Sequence, residues 1–230
     1  MSSSAPLVSV VISVYNGASY LGEAIESALG QVGHDVEVVV FDDGSDDGSD
    51  EVAGRYPVVF GRWPERRGIG AARNAATAMA RGEFLTFLDA DDRFPPHKLD
   101  LQLGAFAADP GLDVVYGHVT EFVSPELTAE QAARIRPPVP RSPSNLAGVM
   151  LIRRAAFERV GPWVEGLKVG TGVEWYMRSA EAGLTTTILD DVLLERRIHD
   201  TNNGLREASH RAQYLSIVKQ ALDRRRTGGR

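Results

Sequence analysis

Apolar residues run along this chain in two rhythms. Leu7 to Tyr15, Val36 to Phe41 and Phe84 to Leu88 are nearly unbroken runs of valine, isoleucine, leucine and phenylalanine, as strands buried on both faces would be. Val58 to Phe60 is a brief run of the same kind. Between them the spacing is helical. Leu21, Ile25, Ala28 and Leu29 form a stripe behind a candidate cap at Ser19. Ala72, Ala75, Ala76, Met79 and Ala80 give a small-residue face to a helix over about 70–81, and Leu99, Leu103 and Phe106 line another after Pro95-Pro96. Strand and helix in alternation predict a mostly parallel sheet flanked by helices.

Past Val114-Val115-Tyr116 the rhythm breaks. Residues 124–145 carry Pro125, Pro137, Pro138, Pro140 and Pro143 with little periodicity, which predicts a lid, a binding loop or a disordered segment. Leu146 to Ile152 then reads as a strand, Arg154 to Val160 as a short helix ended by Gly161-Pro162, and Val173 to Ala182 as a helix with Val173, Met177, Ala180 and Leu184 on its inner stripe. Val192 to Ile198 predicts a late strand. From Arg206 the chain is helical and polar, closing on Arg224-Arg225-Arg226 and Arg230. One α/β domain over residues 5–205, followed by a helix and basic tail over 206–230, accounts for the pattern.

Composition narrows the class. The 230 residues are 43% hydrophobic and 24% charged, ordinary for a globular protein. A net charge of −6 implies no broad basic surface and argues against nucleic acid as partner. With no cysteine there is neither disulfide nor thiolate metal site, which fits a reducing, cytoplasmic setting. Met1 to Pro6 has neither the basic start nor the apolar core of a secretory leader, and no apolar run is long enough for a transmembrane helix. The basic tail leaves room for peripheral contact with the inner face of a membrane. Nothing here fixes oligomeric state, and a homodimer is allowed.

The chemistry gathers where strands end. Phe84–Leu88 stops on Asp89-Ala90-Asp91-Asp92, and Val36–Phe41 stops on Asp42-Asp43-Gly44-Ser45. Crowded carboxylates at a buried strand end repel one another unless a cation sits among them, and open α/β sheets bind ligands at that edge. A hard divalent ion, Mn²⁺ or Mg²⁺, that brings phosphate oxygens with it suits such a cluster. With Ser13-Val14-Tyr15-Asn16 at a third strand end, the edge could hold a nucleoside diphosphate. The competing explanation is a solvated acidic loop whose aspartates cap the next helix.

Five blocks in this order carry a resemblance: Val8–Asn16, Val38–Ser49, Gly68-Ile69-Gly70-Ala71-Ala72-Arg73-Asn74, Glu83–Asp92 and Arg197-Ile198-His199-Asp200-Thr201-Asn202. Together they resemble family 2 glycosyltransferases of the GT-A fold, over roughly residues 6–205. The resemblance implies a single Rossmann-like domain with a mixed, mostly parallel sheet. It also implies inverting, metal-dependent sugar transfer from a nucleotide sugar, UDP-linked by preference, as in bacterial polysaccharide or glycoconjugate synthesis. Residues of about 5–122 would form the nucleotide-sugar half and about 123–205 the acceptor half. Ser13 and Tyr15 match the family's first-strand nucleotide contacts, and Asp43, with Asp42 beside it, matches the carboxylate that reads the base. Asp91 matches a metal ligand, Asp89 a ribose or metal contact, and Arg73 the arginine near phosphates or donor sugar. His199 matches a contact to diphosphate or metal.

The catalytic base departs from the family pattern. The Glu-Asp pair that many members carry falls on Thr171-Gly172, neither of which accepts a proton. Glu174, two residues on, is the replacement candidate, with Asp190 and Asp191 in reserve; the bland alternative is a Glu174–Arg178 helix pair. Trp163 or Trp175 could stack on an acceptor sugar or could be core. The acceptor class stays open among saccharide, lipid-linked, small-molecule and peptide. Three other functions compete: a nucleotide-binding scaffold without turnover, a nucleotidyltransferase, which lacks its glycine-rich loop here, and a dinucleotide oxidoreductase, whose fingerprint would belong in the first turn rather than at Gly68-Ile69-Gly70.

Overall fold

The structure, a computed structural model, describes residues 7–31, 33–128, 130, 131, 138, 140–199 and 211–228. Eight strands form one sheet: β1 (Val8–Val14), β2 (Val36–Asp42), β3 (Val59–Arg62), β4 (Phe84–Asp89), β5 (Val114–Val123), β6 (Ser142–Ser144), β7 (Leu151–Arg153) and β8 (Thr186–Ile198). Their order is β3-β2-β1-β4-β7-β5-β6, with β8 also paired to β5. β1 runs parallel to β2 and β4, β2 to β3, and β5 to β8. β7 is antiparallel to both β4 and β5, and β6 to β5, so the sheet is mixed but mostly parallel.

The apolar runs explain the centre. Val10, Ile12, Val39, Val40, Leu85 and Phe87 have essentially no exposed surface. Being buried on both faces leaves no room for alternation, and the chain supplies none. Helices α1 (Ala18–Leu29), α2 (Ser49–Ala53), α3 (Ile69–Met79) and α4 (Lys98–Ala108) follow the first four strands in turn, or precede the next, as the sequence rhythm predicts. α1 meets α4 through Gln31, whose Oε1 accepts the Leu99 N–H at 3.1 Å. Helices α5 (Arg154–Val160), α6 (Thr171–Glu181) and α7 (Arg211–Gly228) complete the chain. α7 buries Ile217 and Ala221. A Cβ at Gly170, before α6, would lie 2.7 Å from Ile217 and 3.1 Å from Tyr214, so α7 is seated against that turn.

Three expectations change. Leu146–Ile152 is not one strand: Ala147–Val149 is a single 3-10 turn, and β7 begins only at Leu151. The late strand starts at Thr186 rather than Val192, and the Val114 strand continues to Val123. Part of the proline segment, Ser142–Ser144, is the edge strand β6. The start of the last helix near Arg206, the Asp200-Thr201-Asn202 end of the last block and Arg230 lie outside the described residues. No helix among the described residues is long and apolar enough to cross a membrane.

Candidate functional site

Parallel register sets the floor of the site. Ser13 lies opposite Phe41 on β2 and Asp89 on β4, and Val14 opposite Asp42, so all three acidic or polar strand ends share one edge. Past β4, one oxygen from each of Asp89, Asp91 and Asp92 lies within 4.8 Å of the other two. Asp89 and Asp91 are half-exposed and Asp92 is buried. Burial, reinforced by repulsion from Asp91 and Asp89, pushes the Asp92 carboxyl well above the ordinary carboxylate range. A buried carboxylate beside two others, all oxygen donors, fits a hard divalent cation.

Basic side chains flank the triad. Arg73, from α3, donates through Nη2 to Asp89 Oδ1 at 2.5 Å, and its side chain is 7% exposed. His199, just past β8, brings Nε2 within 3.0 Å of Asp91 Oδ2 and packs its ring, tilted by 41°, with its centre 4.8 Å from that of Tyr20. Arg197 donates its backbone N–H to Asp92 Oδ1 at 2.9 Å and its Nε–H to the Asp91 carbonyl at 3.0 Å. Its Nη2 pairs with Glu23 of α1, and Glu23 also pairs with Arg93 at 2.5 Å. Arg93 in turn pairs with Glu195 through its side chain and through a two-bond backbone bridge. Beside this network a cleft of about 410 Å³ is lined by Ser19, Tyr20, Glu23, Pro125, Glu126 and Arg197. Hydrogen bonds from Ser124 and Tyr20 hold the Glu126 carboxyl down at about 2.

The second acidic block is a loop clamp. Asp42, fully buried, accepts from the Ser45 N–H at 2.8 Å and hydroxyl at 2.5 Å through Oδ1. Its Oδ2 lies 3.3 Å from Arg62 Nε, an ion-pair distance without hydrogen-bond geometry. Asp43 accepts the Arg67 and Gly68 N–H groups, one on each oxygen, both at 2.7 Å. Those bonds draw the 65–68 loop down onto Gly44, which has φ +81 and whose Cβ would sit 2.8 Å from the Glu65 backbone. Each Asp43 oxygen retains a second lone pair. Tyr15 is 42% exposed, with the Arg66 guanidinium 4.0 Å above its ring.

Elsewhere the expected residues are engaged in other ways. Glu174, in the first turn of α6, is 3% exposed. Both its oxygens accept from Arg178 Nε at 3.0 Å, and Arg224 of α7 lies 3.7 Å away. Arg178 further donates to the Val160 and Pro162 carbonyls at 2.8 and 2.7 Å, so the pair braces the Gly161-Pro162 turn. Asp190 and Asp191 are exposed within β8. They stand eight or nine residues before His199, roughly 25 Å along the strand. Trp163 and Trp175 are each 2% exposed, packed with Phe87 and Phe157. They are core, with no face free for an acceptor. Sequence reasoning gave no role to Arg197, Arg93 or Glu23, though Arg197 stood inside one of the quoted blocks.

The mixed, mostly parallel sheet flanked by helices has the GT-A fold, and solved structures share it. The chain superposes on S. aureus TarS 1–349 in complex with UDP-GlcNAc with a TM-score of 0.70 at 21% identity, covering 85% of this chain and 60% of that one. It superposes on the mannosyltransferase PcManGT from Pyrobaculum calidifontis in complex with GDP-Man and Mn²⁺ with a TM-score of 0.71 at 20% identity, covering 96% and 65%. The chain belongs to glycosyl transferase family 2, whose family model matches residues 9–161. Glycosyltransferase AglE of Haloferax volcanii is 32% identical over 208 residues, 84% of this chain and 67% of that protein. An uncharacterised glycosyltransferase of Nostoc sp. is 31% identical over 230 residues, 88% and 68%. Chondroitin synthase of Pasteurella multocida is 28% identical over 235 residues, 96% of this chain and only 24% of that enzyme.

Proposed function

We propose that this glycosyltransferase moves a sugar from a nucleoside-diphosphate sugar to an acceptor nucleophile, with inversion at the sugar carbon and assisted by Mn²⁺ or Mg²⁺. The observation that carries the reading is the triad of Asp89, Asp91 and Asp92, flanked by Arg73 and His199, on the edge that also presents Ser13, Tyr15, Asp42 and Asp43. The neighbours in complex with UDP-GlcNAc and with GDP-Man and Mn²⁺ support the donor class and the cation. UDP is the first choice of nucleotide.

In this reading Tyr15 offers its ring to the base, and Asp43 offers its remaining lone pairs to a ring N–H. Ser13 borders the nucleotide, while Asp42 keeps the 42–45 turn in shape. Asp89, Asp91 and Asp92 would hold the ion, with His199 beside them and Arg73 facing phosphate or donor sugar. When bound, the ion offsets charge on the departing diphosphate. Glu174 takes the acceptor's proton, which requires one of its oxygens to leave Arg178. A donor-binding scaffold without turnover is the second reading, favoured by Thr171-Gly172 in place of the Glu-Asp pair and by the engagement of Glu174 with Arg178. The acceptor would be a saccharide, a lipid-linked sugar, a small metabolite or a peptide. Leu215, Val218 and Leu222, exposed on α7 near Lys219 and Arg226, support a peripheral contact with an anionic membrane.

UDP or GDP is expected to raise the melting temperature only with Mn²⁺ or Mg²⁺ present, and Asp91→Ala is expected to abolish the rise. A nucleotide panel without any metal-dependent shift would remove the proposal. Hydrolysis of a nucleotide-sugar panel, with and without metal, separates the enzyme from the inert scaffold.

A further inference from the structure

Asn74 makes none of its hydrogen bonds to the carboxylate triad, yet it holds the segment on which Arg73 rests. Its Oδ1 accepts the Trp163 N–H at 2.9 Å, and its Nδ2 donates to the Trp163 carbonyl at 3.0 Å. A further bond reaches Glu165 Oε1 at 3.0 Å. A carboxamide that pairs with both backbone groups of one residue replaces a neighbouring strand and fixes that residue's height and tilt. α3 presses on the same segment: a Cβ at Gly70 would lie 2.4 Å from the Val164 carbonyl oxygen.

The clasp determines where the Trp163 indole lies. Its ring centre is 4.9 Å from that of Phe87 on β4 and 5.3 Å from that of Trp175 on α6. The Arg73 guanidinium lies 5.1 Å over it. Arg73 therefore has an aromatic wall at its back and the Asp89 carboxylate in front. Asp89 is the partly open end of that chain, its side chain 46% exposed. Among the described residues, Arg73 is the side chain bonded to the Asp89 carboxylate, and the Trp163 ring backs Arg73.

We propose that Asn74 and Trp163 are positioning residues that hold Arg73 against Asp89 and so set the donor-facing end of the acidic edge. The inference rests on the donor-site reading given above. Cutting the clasp frees the 161–165 turn, lets Arg73 follow it, and leaves the three carboxylates less well placed for an ion and a diphosphate. Groups that orient metal ligands in this way are typically worth about 10–100-fold in affinity or activity.

The test titrates Mn²⁺ and UDP, by calorimetry, into the full chain and into Asn74→Ala, Asn74→Ser, Trp163→Phe, Trp163→Leu and Phe106→Leu. Phe106 packs with Phe84 and Leu99 in a separate cluster beside α4, so its variant reports stability alone. Asn74→Ala, Asn74→Ser and Trp163→Leu are expected to weaken metal-dependent UDP binding by about tenfold or more. Trp163→Phe, which keeps an aromatic wall, is expected to restore binding to within a few-fold. The proposal is overturned if the Asn74 and Trp163→Leu variants bind as the parent does. It is overturned equally if Phe106→Leu, at a matched loss of melting temperature, weakens binding as much. A parent chain that binds no nucleoside diphosphate overturns the donor reading itself, and that result appears in the parent's titration alone.

Discussion

Asp92 illustrates how burying one carboxyl ties stability to pH. Its carboxyl is raised by burial and then by its two acidic neighbours, so the native state holds a proton that the unfolded chain releases near its ordinary pKa. Between that ordinary value and the raised one, the folded state binds more protons, so stability falls as pH rises through the window and stays lower above it. In chelator at pH 7, Asp92→Asn is therefore expected to melt higher than the parent, with the gap closing as pH drops toward 4; its amide oxygen can still accept the Arg197 N–H. Equal melting across that range would count against the repulsion. Added Mn²⁺ is expected to stabilise the parent and not the variant.

Glu174 poses the opposite problem, a carboxylate that already has its partner. If it takes the acceptor's proton, Glu174→Gln abolishes transfer and leaves metal-dependent UDP binding intact, which is the outcome expected here. Transfer that survives while the melting temperature drops would assign it to the Arg178 pair. Asp89 and Asp91 were legible from the sequence because an apolar run stopped abruptly on acid. Arg93 and Glu23 were not, because a lone arginine or glutamate carries no local signal; their ion pair joins positions 70 apart.

Among the elements, α3 shows that helix propensity and tertiary contact can oppose one another. Alanine in a helix interior ordinarily gains about 1 kcal/mol over glycine. At Gly104 of α4, where an added Cβ meets nothing within 4 Å, Gly104→Ala is expected to stabilise by about that amount. At Gly70 the Cβ would meet the Val164 carbonyl at 2.4 Å, a backbone atom with little freedom to yield. Gly70→Ala is expected to destabilise by about 1–3 kcal/mol despite its better propensity. Chemical denaturation of the two variants side by side checks both signs. The long apolar strands were legible because burial on both faces removes ambiguity. Leu146–Ile152 was not, since a short apolar run does not say whether it will turn or extend. Short α2 (Ser49–Ala53) lies inside an acidic run with no apolar period to announce a helix.

For the whole molecule, the parallel pairing among β1 to β4 was implied by the strand–helix rhythm, whereas their order and the insertion of antiparallel β7 between β4 and β5 were not. A three-residue strand with two register pairs on each side suffices for that insertion, too short to leave a period in the sequence. Trp163 and Trp175 fall into the core for the same reason: aromatic residues near a proposed cleft look alike from sequence whether they face in or out, and only packing with Phe87 and Phe157 decides.

The bridge between Arg93 and Glu195, with Arg197 on Asp92, ties the middle of the chain to one of its last described strands. During synthesis the acidic triplet emerges about a hundred residues before the segment that pins it. The growing polypeptide can therefore assemble β1, β2 and β4 while its acidic loop is still untethered. Competence to capture a donor would arrive late, as one of the closing events of folding rather than among its first.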